Sequence, residues 1–423
     1  MEILGIVVFA LGILVSIALH EAGHMWSARA FGMKVTRFFV GFGPTLFAFR
    51  RRGVEYGLKA IPAGAFVKIV GMTPDDDDVE PGDEKRAMWR YPVWKRTIVL
   101  AAGSLTHFTL GLVILWLTFA FVALPQPERL ESGPVTIDTV AECTEATLEY
   151  DPATRAFKPC VLGDDPASVA STMGLRPGDV IVAFNGQPVD GWESLTDQVR
   201  AARDQRVTVT VQRGDQTLTR TGTLPSVLRL KEEVLDSDRS ASSITDADLE
   251  PVGVLGVTPM TPTGVYGPVR AFAMTGEQTS AMVTGTFSAL AKFPEKVPKL
   301  WAALTGEPRD PETPISVIGA SRIGGELFAA GEFPFFLSML ALLNFFVGIF
   351  NLLPLLPLDG GHIAIAWFER ARSWLYAKLG RRDPGRVDYA KLMPVTYVVI
   401  LLFGGLTLLT AAADIVNPIT LFP

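Results

Sequence analysis

His20-Glu21-Ala22-Gly23-His24 sets two imidazoles and a carboxylate at a spacing that can do chemistry. On a helix, residues four apart differ by about 400° of rotation, so both imidazoles leave one face and can grip one metal ion. Glu21, one position on, then lies beside that metal. Zinc lowers the pKa of its bound water to roughly 7, and a neighbouring carboxylate can take the proton as the water attacks an amide carbonyl. The spacing points to metal-assisted peptide hydrolysis, with a structural histidine pair as the plainer reading. Only four histidines occur in 423 residues, and two of them fall in this pentapeptide.

The element that must carry the motif is unusual for a soluble enzyme. Ile3 to Leu19 is almost continuously apolar and has no charge, so it reads as the front of a transmembrane helix. Ionisable groups at membrane depth are costly, and their presence signals function. At 48% hydrophobic and 19% charged residues, the chain is too apolar for an average soluble protein and too charged to be membrane throughout. Long apolar runs over 3–24, 97–124, 335–356 and 394–416 each approach the ~20 residues that a bilayer requires. Met1-Glu2 lacks the positive region of a signal peptide, so the first run is expected to be retained.

Lysine and arginine collect on one side of these spans. Residues 29–96 hold 13 of them, and residues 369–391 hold seven against three acids, so both loops should be cytoplasmic. Residues 125–334 have 18 basic and 29 acidic side chains and belong on the opposite side. The net charge of −6 gives no support for nucleic-acid binding. Asp75 to Asp78 reads as a solvated loop, because it lacks the ligand pattern of a calcium site. Cys143 and Cys160 bracket a short polar stretch in the outer segment, where a disulfide is plausible and free thiols or metal binding are the alternatives.

Between the first two spans, short alternating segments separated by Gly and Pro predict a small hairpin sheet at the membrane surface. Its edge could pair with an unwound peptide, and Gly41, Phe42 and Gly43 are the candidate contact residues; a sheet that merely packs on the helices is the plain alternative. Farther on, Gly174 to Ile181, Ala183 to Val189, a helical Trp192 to Ala202 and a strand-like Arg206 to Gly214 follow in order. This run resembles the PDZ domains of bacterial proteases, which implies a module that receives extended peptide beside a strand. The stretch between Val140 and Pro166 is longer than the usual pattern. Residues 224–250 read as a polar linker, and Val269 to Leu304 as an amphipathic helix.

Two histidines leave a catalytic zinc short of a third protein ligand. Asn351-Leu-Leu-Pro354-Leu-Leu-Pro357-Leu-Asp359-Gly360-Gly361-His362 offers both Asp359 and His362, and its prolines and glycines break the third span. The HExxH motif in span one together with NxxPxxxxDGGH in span three resembles the site-2 protease family of intramembrane zinc metalloproteases. The PDZ-like insertion resembles the bacterial sigma-factor-regulating branch. That resemblance implies one zinc ion per chain held by His20, His24 and Asp359, with Glu21 as general base and Asn351 holding the unwound substrate or the oxyanion. Ala101 to His107 is similar to the family's AGPxxN signature, but with Ser104 for Pro and His107 for Asn. His107 is therefore expected to be a packing or hydrogen-bonding residue near the centre.

The expected architecture is a polytopic α-helical membrane protein with four transmembrane helices, a small membrane-associated β-sheet and an extracytoplasmic α+β PDZ domain. Helix one with HExxH occupies 1–32, a cytoplasmic hairpin region 33–96, span two 97–124 and the PDZ domain 125–225. A linker and amphipathic region follow over 226–334, then the broken third span over 335–368, a cytoplasmic loop over 369–393 and span four over 394–417. Both termini should be extracytoplasmic at the plasma membrane, with the active site toward the cytoplasm. The implied partners are the lipid bilayer, single-span substrates of the anti-sigma-factor type, and an upstream site-1-type protease. A membrane adaptor with a structural metal would not need Glu21, and a metal transporter would need polar residues along spans two and four.

Overall fold

A computed structural model describes residues 1–72, 79, 82–145, 150–151, 156–158, 160–231, 234, 245–310 and 312–421. The acidic run at 75–78 lies outside them. Helix α1 (Glu2–Ala30) is followed by strands β1 (Val35–Arg51) and β2 (Val54–Ile69) and by helix α2 (Val93–Phe121). Next come β3 (Val135–Val140), β4 (Val180–Phe184), β5 (Gln187–Pro188), helix α3 (Trp192–Ala201), β6 (Arg206–Arg213), β7 (Gln216–Thr223), β8 (Ser226–Leu230), β9 (Leu249–Gly253) and β10 (Val257–Pro259). Helices α4 (Gly267–Leu304), α5 (Val317–Ala329), α6 (Phe333–Asn351), α7 (Asp359–Lys378) and α8 (Met393–Val416) close the chain. Two compact units result, one made of Met1–Val122 with Val265–Pro423 and the other of Ala123–Gly264.

In the helical unit, α1, α2, α6 and α8 are long and apolar enough to cross a membrane. They fall on the four expected runs. Helix α6 stops at Asn351 and α7 restarts at Asp359, because Pro354 and Pro357 cannot donate the backbone hydrogen bonds a continuous helix needs. Met25 and Ala28 of α1 pack with Val35 and Ile69 of the sheet and with Val99 and Leu100 of α2 in one buried cluster. Glycine permits the close approach of α1 to α2: a Cβ on Gly23 would lie 2.7 Å from the Ala102 carbonyl oxygen. Phe9 and Ile13 form a second cluster with Ile323 and Leu327 of α5 and Phe336 of α6.

Helix α8 is held differently. Its buried residues, Thr410, Ala413 and Asp414, all lie near its C-terminal end. There Asp414 pairs with the buried Arg309 guanidinium at 2.7 Å and accepts the Ser316 backbone N–H at 2.6 Å.

The expected set of short strands forms as two long strands that each bend back. Phe39 lies opposite both Phe66 and Gly57, while Phe47 lies opposite Leu58, so four laps run in the order 65–69, 35–40, 54–58 and 45–51. Gly41 sits at the bend with φ +89°, where a Cβ would meet the Lys59 and Ile61 carbonyl oxygens within 3 Å. Leu46, Phe47, Phe49, Leu58 and Ile61 are exposed on this sheet, an apolar surface that suits lipid better than water.

The second unit is built on a six-stranded sheet in the order β7-β6-β4-β3-β10, with β5 paired to β4. Val207, Val209 and Val211 alternate inward and bury with Ile137, Ile181, Phe184 and Leu195 of α3. Asp179, enclosed in this unit, accepts a forked pair of hydrogen bonds from Arg213 at 2.6 and 2.8 Å. A disulfide joins Cys143 to Cys160, whose Cα atoms are 5.9 Å apart. The unit extends past the expected boundary at 225. Strands β8 and β9 form a hairpin, and β10 adds to the sheet through Val257 opposite Val140. Val252 and Leu255 are buried there, so the polar segment before them conceals the apolar run that completes the fold.

Candidate metal centre

Helix α1 delivers His20 and His24 to the same face one turn apart, with ring centres 4.7 Å apart. Both are about nine-tenths buried or more. The broken segment after α6 returns the chain so that Asp359 becomes the first residue of α7, where a carboxylate also complements the helix dipole. Its Oδ2 lies 3.2 Å from His20 Nε2 and 3.3 Å from His24 Nε2, while the two nitrogens are 3.0 Å apart. Among the described residues, these three are the ones that bring metal-ligating atoms of His, Cys, Asp or Glu together within 4.8 Å.

Glycines shape the walls around this triangle. A Cβ on Gly103 of α2 would come 2.5 Å from both His20 Cε1 and His24 Nε2. One on Gly360 would come 2.2 Å from the Leu352 carbonyl oxygen, so the fold-back that presents Asp359 has no room for a side chain. The second ring nitrogen of His24 is also tied down: Nδ1 lies 2.7 Å from the Val99 carbonyl, which fixes the N–H there and aims Nε2 at Asp359. Glu21 stands beside the triangle, and its Oε2 accepts the backbone N–H of Val67 at 2.9 Å.

The donor set fits zinc. Two buried imidazole nitrogens and one partly buried carboxylate oxygen converge, the kind of three-donor set with which catalytic zinc sites leave a fourth position for water. His362 stands apart from this group. Its Nδ1 lies 3.4 Å from the Tyr389 hydroxyl, and the two rings stack with centres 5.9 Å apart. Burial, with Glu369 adding to it, pushes the Tyr389 phenol up to about 12, so it stays neutral.

Asn351 is the last residue of α6 and is half-buried. Gly41, Phe42 and Gly43 lie at the bend of β1, with Phe42 stacked against Phe66 at 6.1 Å between ring centres. His107 is buried beside His20, their ring centres 5.0 Å apart. Two buried polar positions, Asn344 near the centre and Glu369 farther along α7, are not evident from the motifs. Asn344 of α6 is buried and lies 2.8 Å from His107 Nδ1; an amide inside the apolar run 339–350 was the available signal. Glu369 joins Arg96 at 3.2 Å and accepts the Val387 N–H at 2.9 Å, which fastens the 380–391 loop to α7 and α2.

The profile of peptidase family M50 matches residues 8–381 of this chain. The zinc metalloprotease Rip1 of Mycolicibacterium smegmatis is 40% identical over 444 residues, covering 99% of each chain. Rip1 of Mycobacterium tuberculosis is 40% identical over 432 residues, covering 100% of each. A probable chloroplastic membrane metalloprotease of Arabidopsis thaliana, ARASP2, is 26% identical, over 93% of this chain and 76% of its own length.

Proposed function

The chain belongs to peptidase family M50, the site-2 proteases, and is a zinc metalloprotease acting on membrane-bound substrates; from that premise we propose that His20, His24 and Asp359 hold the zinc and Glu21 is the general base. The observation that carries this reading is the convergence of those three side chains at about 3 Å, both histidines buried and Asp359 partly so, on and beside helices apolar enough to cross a membrane. When bound, zinc supplies an acidified water and polarises the scissile carbonyl.

The chain's own groups do the rest. Val67 occupies one oxygen of Glu21, leaving the other to receive the proton from the attacking water and pass it to the leaving amine. A substrate helix hides its amides in intrahelical bonds and must be held extended before it can be cut. The outermost lap of the β1–β2 sheet, residues 65–69, is one partner for such an extended backbone, with Gly41, Phe42 and Gly43 at the bend and Asn351 holding the unwound segment or the oxyanion.

The substrate class is a single-span, membrane-tethered protein of the anti-sigma-factor type, already shortened by a site-1-type protease, so that the cut releases a cytoplasmic regulator. The basic loops support an orientation with both termini and the 123–264 unit outside the plasma membrane and the metal centre toward the cytoplasm. The 123–264 unit is a PDZ module. Helix α3 and the segment Gly253 to Thr258, from the end of β9 into β10, line a cavity of about 380 Å³ that suits an extended peptide.

Mapping the cut by mass spectrometry in a tagged single-span substrate tests this reading. Cleavage inside the membrane segment, only after the outer domain is removed, supports it. Cleavage confined to an exposed loop would show an ordinary surface protease.

A further inference from the structure

His20 is the ligand whose support is incomplete. A metal-ligating imidazole normally donates its other N–H to an acceptor, which fixes its tautomer and orientation. His24 does so through the Val99 carbonyl, whereas His20 Nδ1 is buried and without a hydrogen-bond partner among the described residues. Besides its fellow ligand candidate His24, the ring packed beside His20 is that of His107, nearly wholly buried, with ring centres 5.0 Å apart and planes inclined at 43°.

The tautomer of His107 follows from a chain of donors and acceptors. Asn344 Nδ2 donates to the Leu340 carbonyl at 2.8 Å, and a carbonyl can only accept. Asn344 Oδ1 is therefore the atom that faces His107 Nδ1, 2.8 Å away, and the imidazole must donate from Nδ1. A neutral ring with its proton on Nδ1 carries a lone pair on Nε2. Beside His20 the His107 ring thus offers an acceptor nitrogen, while His20 Nδ1 is buried without a partner among the described residues.

We propose that His107 is a positioning residue of the zinc site: its Nε2 accepts the Nδ1–H of His20 when His20 Nε2 binds the metal, and Asn344 fixes the tautomer that allows it. The chain thereby uses a His–Asn pair where the family's AGPxxN signature has one Asn. Ser104 lies one turn before His107, is fully buried, and has a hydroxyl without a partner among the described residues, so it is the competing acceptor.

The inference rests on His20 being a zinc ligand, and the test separates the two claims. In the purified full-length protein, zinc affinity is measured by competition with a chromophoric chelator, together with the visible spectrum of the Co²⁺ form and the melting of the metal-free protein. His107→Phe should weaken zinc binding about 10- to 100-fold and shift the Co²⁺ spectrum while metal-free melting is kept. His107→Gln, which retains an acceptor, should recover most of the affinity and serves where the Phe variant does not fold. Ser104→Ala should bind zinc like the wild type. If His20→Ala loses zinc but both His107 variants hold it at wild-type affinity, or Ser104→Ala alone weakens it, the role given to His107 is wrong. If His20→Ala keeps zinc unchanged, the ligand assignment itself fails.

Discussion

The backbone N–H of Val67 donates to Oε2 of Glu21 at 2.9 Å, joining the outermost lap of the sheet to the helix that carries both histidines. The bond takes nothing from the ladder, since among the described residues this lap pairs with residues 35–40 on one side and the Val67 N–H points from the other toward the helix. One contact thus orients the carboxylate and places an edge strand beside the metal centre.

Removing that N–H should cost catalysis and spare the metal. Pro is tolerated on an edge whose N–H points away from the ladder, so Val67→Pro keeps the pairing with Phe38. A hydrogen bond to a charged group contributes about 1.5–3 kcal/mol, which predicts a fall in kcat of about 10- to 100-fold. Zinc content should be unchanged when measured by atomic absorption on the purified variant.

Gly103 has no room for a methyl group. With His20 and His24 atoms 2.5 Å from a Cβ placed there, Gly103→Ala must displace the imidazoles or push α2 away from α1. Loss of most zinc, with the protein still inserted and extractable as a folded species, is the expected result. A control at Gly276, where a Cβ meets nothing within 4 Å, should bind zinc normally.

Much of this was legible in residue spacing, and the exceptions have physical causes. The four long helices follow from apolar runs of bilayer length, and the break between α6 and α7 from Pro354 and Pro357. The double pairing of Phe39 with Phe66 and Gly57 was not legible, because alternation identifies strands but not which lap lies beside which. The end of the second unit was hidden for another reason: β9 and β10 follow a polar stretch, and local composition cannot show that Val257 returns to pair with Val140. Asn344 was missed because one amide in an apolar helix gains meaning only from its spatial neighbour, His107.

The Arg309–Asp414 pair should dominate the anchoring of α8. Both side chains are almost wholly enclosed, and Asp414→Asn would leave a buried guanidinium without its counter-charge. Breaking such a pair costs about 3–5 kcal/mol. Limited proteolysis should cut the 380–391 loop and the α8 ends faster in this variant, while the exposed pair Lys391–Asp388 can be broken with little effect.

The second unit should lose stability in acid. The forked hydrogen bonds from Arg213 hold the Asp179 carboxyl below the usual carboxylate range. An unfolded aspartate titrates near about 3.9, so this contribution is fully present above that pH and is lost as pH falls through the lower folded value. Hydrogen exchange in β4 and β6 of the full chain should stay slow from neutral pH down to about 4 and, corrected for intrinsic rates, accelerate below it. Asp179→Asn should remove that step and exchange faster at neutral pH.

The central claim is that Glu21 moves the proton at a zinc centre built by His20, His24 and Asp359. Its most direct test compares wild type and Glu21→Gln with a tagged single-span substrate lacking its outer domain, measuring the fragment and bound zinc in the same preparations. The account predicts a fragment with the wild type that chelation abolishes and zinc restores. The Gln variant should bind equal zinc and be slowed at least about 100-fold. Equal cleavage by both proteins, or loss of zinc with the Gln change, would contradict it.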